Sequence, residues 1–129
     1  MGVQREAAKN FQELLVWQKA HQLVLAAYRL TESFSRHELF ASTAQLRRAA
    51  VSVPANSAAG FHKRGFKHEI TFFTIAEGLL EEVQQYFIPA CDLGYADTQM
   101  IIDNANEVGR LLESYGKAIR VKLAATPNS

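Results

Sequence analysis

Apolar residues recur along this chain every three or four positions and almost nowhere alternate, which is the period of amphipathic helices and not of strands. The spacing predicts four helices, over about 12–33, 38–59, 66–93 and 98–123. In the first, one stripe runs Trp17, Val24, Tyr28 and Thr31, and another Val16, Ala20, Leu23, Ala27 and Leu30. The third also carries two, with Ile70, Phe73, Leu80 and Phe87 on one side and Phe72, Ala76, Leu79, Val83, Tyr86 and Ala90 on another. The fourth has one, through Ile101, Ala105, Val108, Leu112, Tyr115 and Ile119. One stripe toward the core suffices for a surface helix. Apolar surface on two sides of helices 1 and 3 therefore points to a second buried contact, and self-assembly outweighs a merely widened core stripe.

Helix 2 differs in kind. From Ala49 to Gly60 nearly every side chain is small, so a neighbouring backbone can come close. Pro54 removes a backbone donor and crowds the carbonyl of Ala50, a cost of about 3 kcal/mol in a helix interior. A bent helix buried in a bundle is the expected outcome, with Asn56 seeking a buried partner, a carboxylate or backbone group on helix 3. Pro89 should kink or thin the last turn of helix 3. Leu93-Gly94 reads as a helix end, Asp97 as an N-cap, and Gly60 and Gly65 as brackets of a short basic loop.

These elements fit one domain. Residues 11–123 form the bundle, between a flexible N-terminus (1–10) and a flexible tail (124–129). A hydrophobic content of 48% argues against general disorder. One cysteine, Cys91, cannot form an internal bridge, the polar first ten residues lack a secretion signal, and no apolar run is long enough to cross a membrane. The expected setting is cytoplasmic.

Charge changes the picture more. The total is +1, yet residues 39–68 carry five Lys or Arg and no acid, while 69–113 carry nine acids and only Arg110 as a base. A basic block is the electrostatic footprint of a polyanion, and opposite blocks can also satisfy each other between helices or subunits. Lys63, Arg64 and Lys67 cluster before helix 3 and on its first turn, where free amides already favour anions. They are the first candidates for phosphate contact, with Arg47 or Arg48 as helpers, and a solvated loop kept soluble by its charge is the even alternative. Arg47 and Arg48 are adjacent and so point about 100° apart. Ion pairing outweighs ligand binding for them, with Glu82 on helix 3 the candidate partner.

Catalytic readings are thin. Ser52, Ser57 and Thr74 lack an interpretable His-Asp arrangement, Glu77, Glu81 and Glu82 read as a solvated face or as ion-pair partners, and His62 and His68 are wrongly spaced for one metal. No catalytic residue, metal ligand or cofactor is assigned. Trp17 and the phenylalanines fall at core spacing, so base-stacking aromatics are not expected.

Several strings are familiar together: Leu15-Val16-Trp17-Gln18-Lys19-Ala20, Tyr28-Arg29-Leu30-Thr31, Gln45-Leu46-Arg47-Arg48-Ala49-Ala50-Val51-Ser52-Val53-Pro54-Ala55-Asn56, Phe72-Phe73-Thr74-Ile75-Ala76-Glu77-Gly78 with Glu82 a turn on, and Leu93-Gly94-Tyr95. Over roughly residues 11–120 the chain resembles the four-helix-bundle family first noticed in intervening sequences of bacterial large-subunit ribosomal RNA genes. It departs where that family continues Asn-Ile-Ala-Glu-Gly; here the residues are Asn56-Ser57-Ala58-Ala59-Gly60, and the Gly-Ser pair usual in helix 3 is Gly78-Leu79. The resemblance implies an all-α, antiparallel four-helix bundle assembling as a homo-oligomeric ring, typically a pentamer, without established enzyme activity. A branch of the same fold resembles the accessory variability protein of diversity-generating retroelements, which implies work beside a reverse transcriptase and RNA. The expected function is that of a non-catalytic, oligomeric nucleic-acid-binding accessory protein; its rival is a scaffold that binds only proteins.

Overall fold

The computed structural model describes residues 9–32, 40–61, 65–92 and 99–125. Within them the secondary structure is helical throughout: a 3-10 turn at Phe11–Glu13, then α1 (Leu15–Glu32), α2 (Phe40–Phe61), α3 (Phe66–Asp92) and α4 (Gln99–Ala125). The predicted N-cap at Asp97 and helix end at Leu93-Gly94 lie outside the described residues, as do His62, Lys63 and Arg64.

Each helix packs against its neighbours in chain order, and α1 closes the square on α4. Directions follow from which residues meet. Arg47 near the start of α2 reaches Thr31 at the end of α1. Gly60 at the end of α2 faces Phe72 near the start of α3, and Gly109 of α4 faces Leu80 of α3 while Gly116 faces Ile70. Lys19 of α1 pairs with Glu107 of α4. Neighbours therefore run antiparallel around one core, the usual up-and-down bundle.

The core is the seam the spacing predicts for α1 and α4, namely Val16, Ala20, Leu23, Ala27 and Leu30 against Ile101, Ala105, Val108, Leu112 and Ile119. In α3 the outcome differs from the two-stripe expectation. Phe73, Ala76, Leu80, Val83 and Phe87 are buried, a single seam drawn from both predicted stripes. Phe73 alone, 1% exposed, contributes about 1.5–3 kcal/mol by burial. Ile70, Leu79 and Tyr86 flank that seam half-buried. The apolar surface left open is smaller than two full stripes, and its largest members on the first three helices are Leu25, Tyr28, Val51, Ile75 and Ile88.

α2 continues through the buried Pro54 as far as Phe61. The proline does not end it. Around the missing amide, three side chains donate to carbonyls one turn back: Ser52 to Arg48 (2.9 Å), Asn56 to Ser52 (2.8 Å) and the fully buried Ser57 to Val53 (3.0 Å). Such back-bonds satisfy small polar groups locally. The partner expected for Asn56 on helix 3 is thus replaced by a carbonyl of its own helix. α3 likewise runs on past Pro89 to Asp92.

Gly60 is helical and buried, not a loop bracket. A Cβ there would lie 3.2 Å from Cβ of Phe72 and 3.4 Å from the carbonyl oxygen of Glu69. It lets α2 and α3 close tightly at their shared end. Gly65 has a φ of 80°, a left-handed conformation that favours glycine, and its carbonyl accepts the Glu69 amide at 3.3 Å, opening α3; the basic loop it was expected to bracket lies outside the described residues.

Candidate nucleic-acid interface

The candidate cations fall at two ends of the bundle. Arg47 and Arg48 stand near the start of α2, and Lys67 on the first turn of α3. Thirteen residues of α2 separate Arg48 from Phe61, so the two groups are about 20 Å apart along the bundle.

Arg47 is committed to the fold. Its Nε donates to Oγ1 of Thr31 at 2.8 Å, one terminal nitrogen reaches the Tyr28 carbonyl at 3.5 Å, and the guanidinium lies 4.5 Å from the centre of the Tyr28 ring. Thr31 is itself buried, and its single hydroxyl hydrogen is shared between the carbonyls of Ala27 (2.8 Å) and Tyr28 (3.1 Å), leaving its lone pairs for the arginine. Neutral groups and an aromatic face hold this charge, and the carboxylate expected from helix 3 is not among its partners. Glu82 is exposed on α3, and among the described residues no ion pair joins it to Arg47 or Arg48. The correction has a simple cause: Arg47 points into the α1–α2 groove, where no acid of the described α2 exists and Glu32 is the sole acid of α1. Arg48, a third of a turn further, is exposed.

The other end gathers cations that the linear reading did not join. α4 runs back to the start of α3 and brings Lys117, Arg120 and Lys122 to that end of the bundle, where Lys67 stands exposed on the first turn of α3. The Lys122 ammonium lies 5.8 Å from the centre of the Phe66 ring. Gly116 leaves room for Arg120: a Cβ on that glycine would stand 3.1 Å from the guanidinium and 3.6 Å from Ile70. Lys117 pairs with Glu113 at 3.2 Å, both well exposed, a contact worth little. Glu69 is the one acid of the first turn of α3. Burial pushes its carboxyl up from the usual value of 4.5, and the Lys122 charge pulls it partly back. The sequence pattern did not single these residues out; the antiparallel return of α4 brings them to the end of the bundle where α3 starts. Lys63 and Arg64 precede Gly65 in the chain and fall outside the described residues.

Acids occupy a different surface. Glu77, Glu81 and Glu113 line a groove between α3 and α4 with Gln84, Asn106 and Arg110. By contrast α1 and α2 together hold Lys19, Arg29, Arg47 and Arg48 against Glu32. The bundle is therefore polar across its width as well as along the chain.

Among the described residues no group of three His, Cys, Asp or Glu is placed to hold a metal ion, and no helix is long and apolar enough to cross a membrane. The family model of the 23S rRNA-intervening sequence protein matches residues 12–114. No curated protein matches the chain.

Proposed function

From the premise that this chain belongs to the 23S rRNA-intervening sequence protein family, we propose that it is a non-catalytic accessory protein that binds nucleic acid through its cationic bundle end. The observation that carries this reading is that α4 returns Arg120 and Lys122 to the end of the bundle where Lys67 stands on the first turn of α3, the end that the Lys63–Arg64 segment adjoins. Cations crowded beside a helix N-terminus repel each other and its free amides, and a phosphate relieves both. Contacts of this type position a polyanion without reading its sequence, so discrimination among sequences is weak.

The protein acts as a homo-oligomer, five copies closing a ring. A head-to-tail ring uses two different sides of each subunit. The α1–α4 side, with Leu25 and Met100 exposed at 41% and 66%, lies opposite the α2–α3 side, where Ile75 is 43% exposed and Phe72 half-buried on one flank of α3. Joining those sides repeats each cationic end around the ring axis and multiplies weak sites. In its narrower form the reading makes the protein a retroelement accessory factor that holds RNA for a reverse transcriptase.

Filter binding of RNA and DNA at rising salt tests the proposal. Affinity should fall steeply with salt and drop when Lys63, Arg64 and Lys67 are changed to Gln. Absence of binding at low salt leaves the protein-only scaffold as the function.

A further inference from the structure

The outer flank of α1 carries something the spacing concealed. Trp17, assigned to the core by its period, is only half-buried, and its ring stacks on the exposed His21 with centroids 5.0 Å apart and planes 6° from parallel. Phe11 meets the same indole edge-on at 5.3 Å and braces it. Seven residues after His21, Tyr28 is 40% exposed and its ring lies under the Arg47 guanidinium. A seven-residue step returns to the same helix face within about 20°. Two flat pairs, Trp17–His21 and Tyr28–Arg47, therefore stand in a row about 10 Å apart.

We propose that this row on the α1–α2 face is a stacking platform for unpaired nucleotides, so that the protein prefers single-stranded nucleic acid. The inference rests on the nucleic-acid reading above and adds a second contact surface to it. Three features favour that occupant over others. Each pair presents a planar π or guanidinium surface, the kind on which any base stacks. Both pairs are fixed before binding, one by Phe11 and the other by the Thr31 hydrogen bond, so little ordering is required. The row also carries positive charge for a phosphate chain, in the Arg47 guanidinium itself and in Arg48, exposed at the next position of α2. The separation of about 10 Å matches about three nucleotides of a strand at about 3.4 Å each. Bases paired inside a duplex cannot reach the platform.

Trp17 is the only tryptophan of the chain, so it reports directly on this face. The test titrates the full chain with oligouridylate and, separately, with a duplex RNA of equal length. The expected result is quenching of Trp17 fluorescence by the single strand alone. His21→Ala and Tyr28→Leu should each weaken single-strand binding about fivefold or more, in line with loss of one stacked base, with duplex binding unchanged. His21 is exposed, so its variant separates lost stacking from lost folding. Salt-sensitive binding with unchanged fluorescence and unaffected variants overturns the platform while sparing the cationic end. Absence of any binding removes both. Fluorescence that changes on dilution of the protein alone, and not with RNA, assigns the face to a second copy and also overturns the platform.

Discussion

The two ends of this bundle use cations in opposite ways. Where α1 meets α2, Arg47 is held by a threonine hydroxyl, a backbone carbonyl and a tyrosine ring. Where α3 meets α4, Lys67 and Arg120 are exposed, and Glu69, the acid of the first turn of α3, has its carboxyl pushed up by burial. The first arrangement consumes a charge to join two helices. The second leaves charge exposed to solvent. Whether an arginine ties helices together or stands in solvent is thus set by its surroundings in the groove, and two adjacent residues, Arg47 and Arg48, fall on different sides of that line.

Substitutions should expose the contrast. Arg47→Met removes two hydrogen bonds from a charged donor and the contact with Tyr28, and should cost about 2–3 kcal/mol in denaturant unfolding. Lys67→Ala, at the other end, should stay within about 0.5 kcal/mol of the parent in the same assay. Equal losses from both would erase the distinction. At the α2–α3 contact, Gly60→Val should cost about 1–3 kcal/mol, because the Cβ would press on Phe72 and the Glu69 carbonyl, neither of which can swing aside. Thr31→Val takes away the acceptor for Arg47 while keeping side-chain shape, and should cost about 1 kcal/mol by thermal unfolding.

The smallest effect concerns pH. The Glu69 carboxyl is raised above 4.5 in the folded chain, so the native state binds its proton more tightly than the unfolded state does. Its stabilising contribution is complete below 4.5 and is lost as pH rises through the raised folded value. Glu69→Gln should accordingly raise stability at neutral pH and flatten the stability profile just above 4.5; chemical denaturation across that range, with no flattening, would show that burial of this group is unimportant.

How far the sequence alone reached differs between these regions for the same physical reason. Helix periods are local, so α1 to α4 and the seam through Leu23, Val108 and Leu112 could be read directly. The start of α3 just after Gly65 was legible because a glycine before a helical run is a local signal, whereas its left-handed φ was not read from the sequence. The Arg47 partner was not, since Thr31 lies sixteen residues away and carries no charge to announce itself. Gly60 looked like a loop residue because a close approach between two helices leaves no trace in either helix alone. The same holds for Lys122 and Glu69, brought together only by the return of α4. Trp17 shared its period with core residues, yet half of a helix flank can share that period and remain reachable from solvent.

The cationic end is tested most directly by the slope of log affinity against log salt for a single-stranded RNA, measured on the parent and on the variant with Lys63, Arg64 and Lys67 changed to Gln. Each lost phosphate contact lowers the slope by about 0.7, so three contacts predict a decrease of about 2. Identical slopes for the two proteins, or no binding by the parent at about 50 mM salt, would contradict the account.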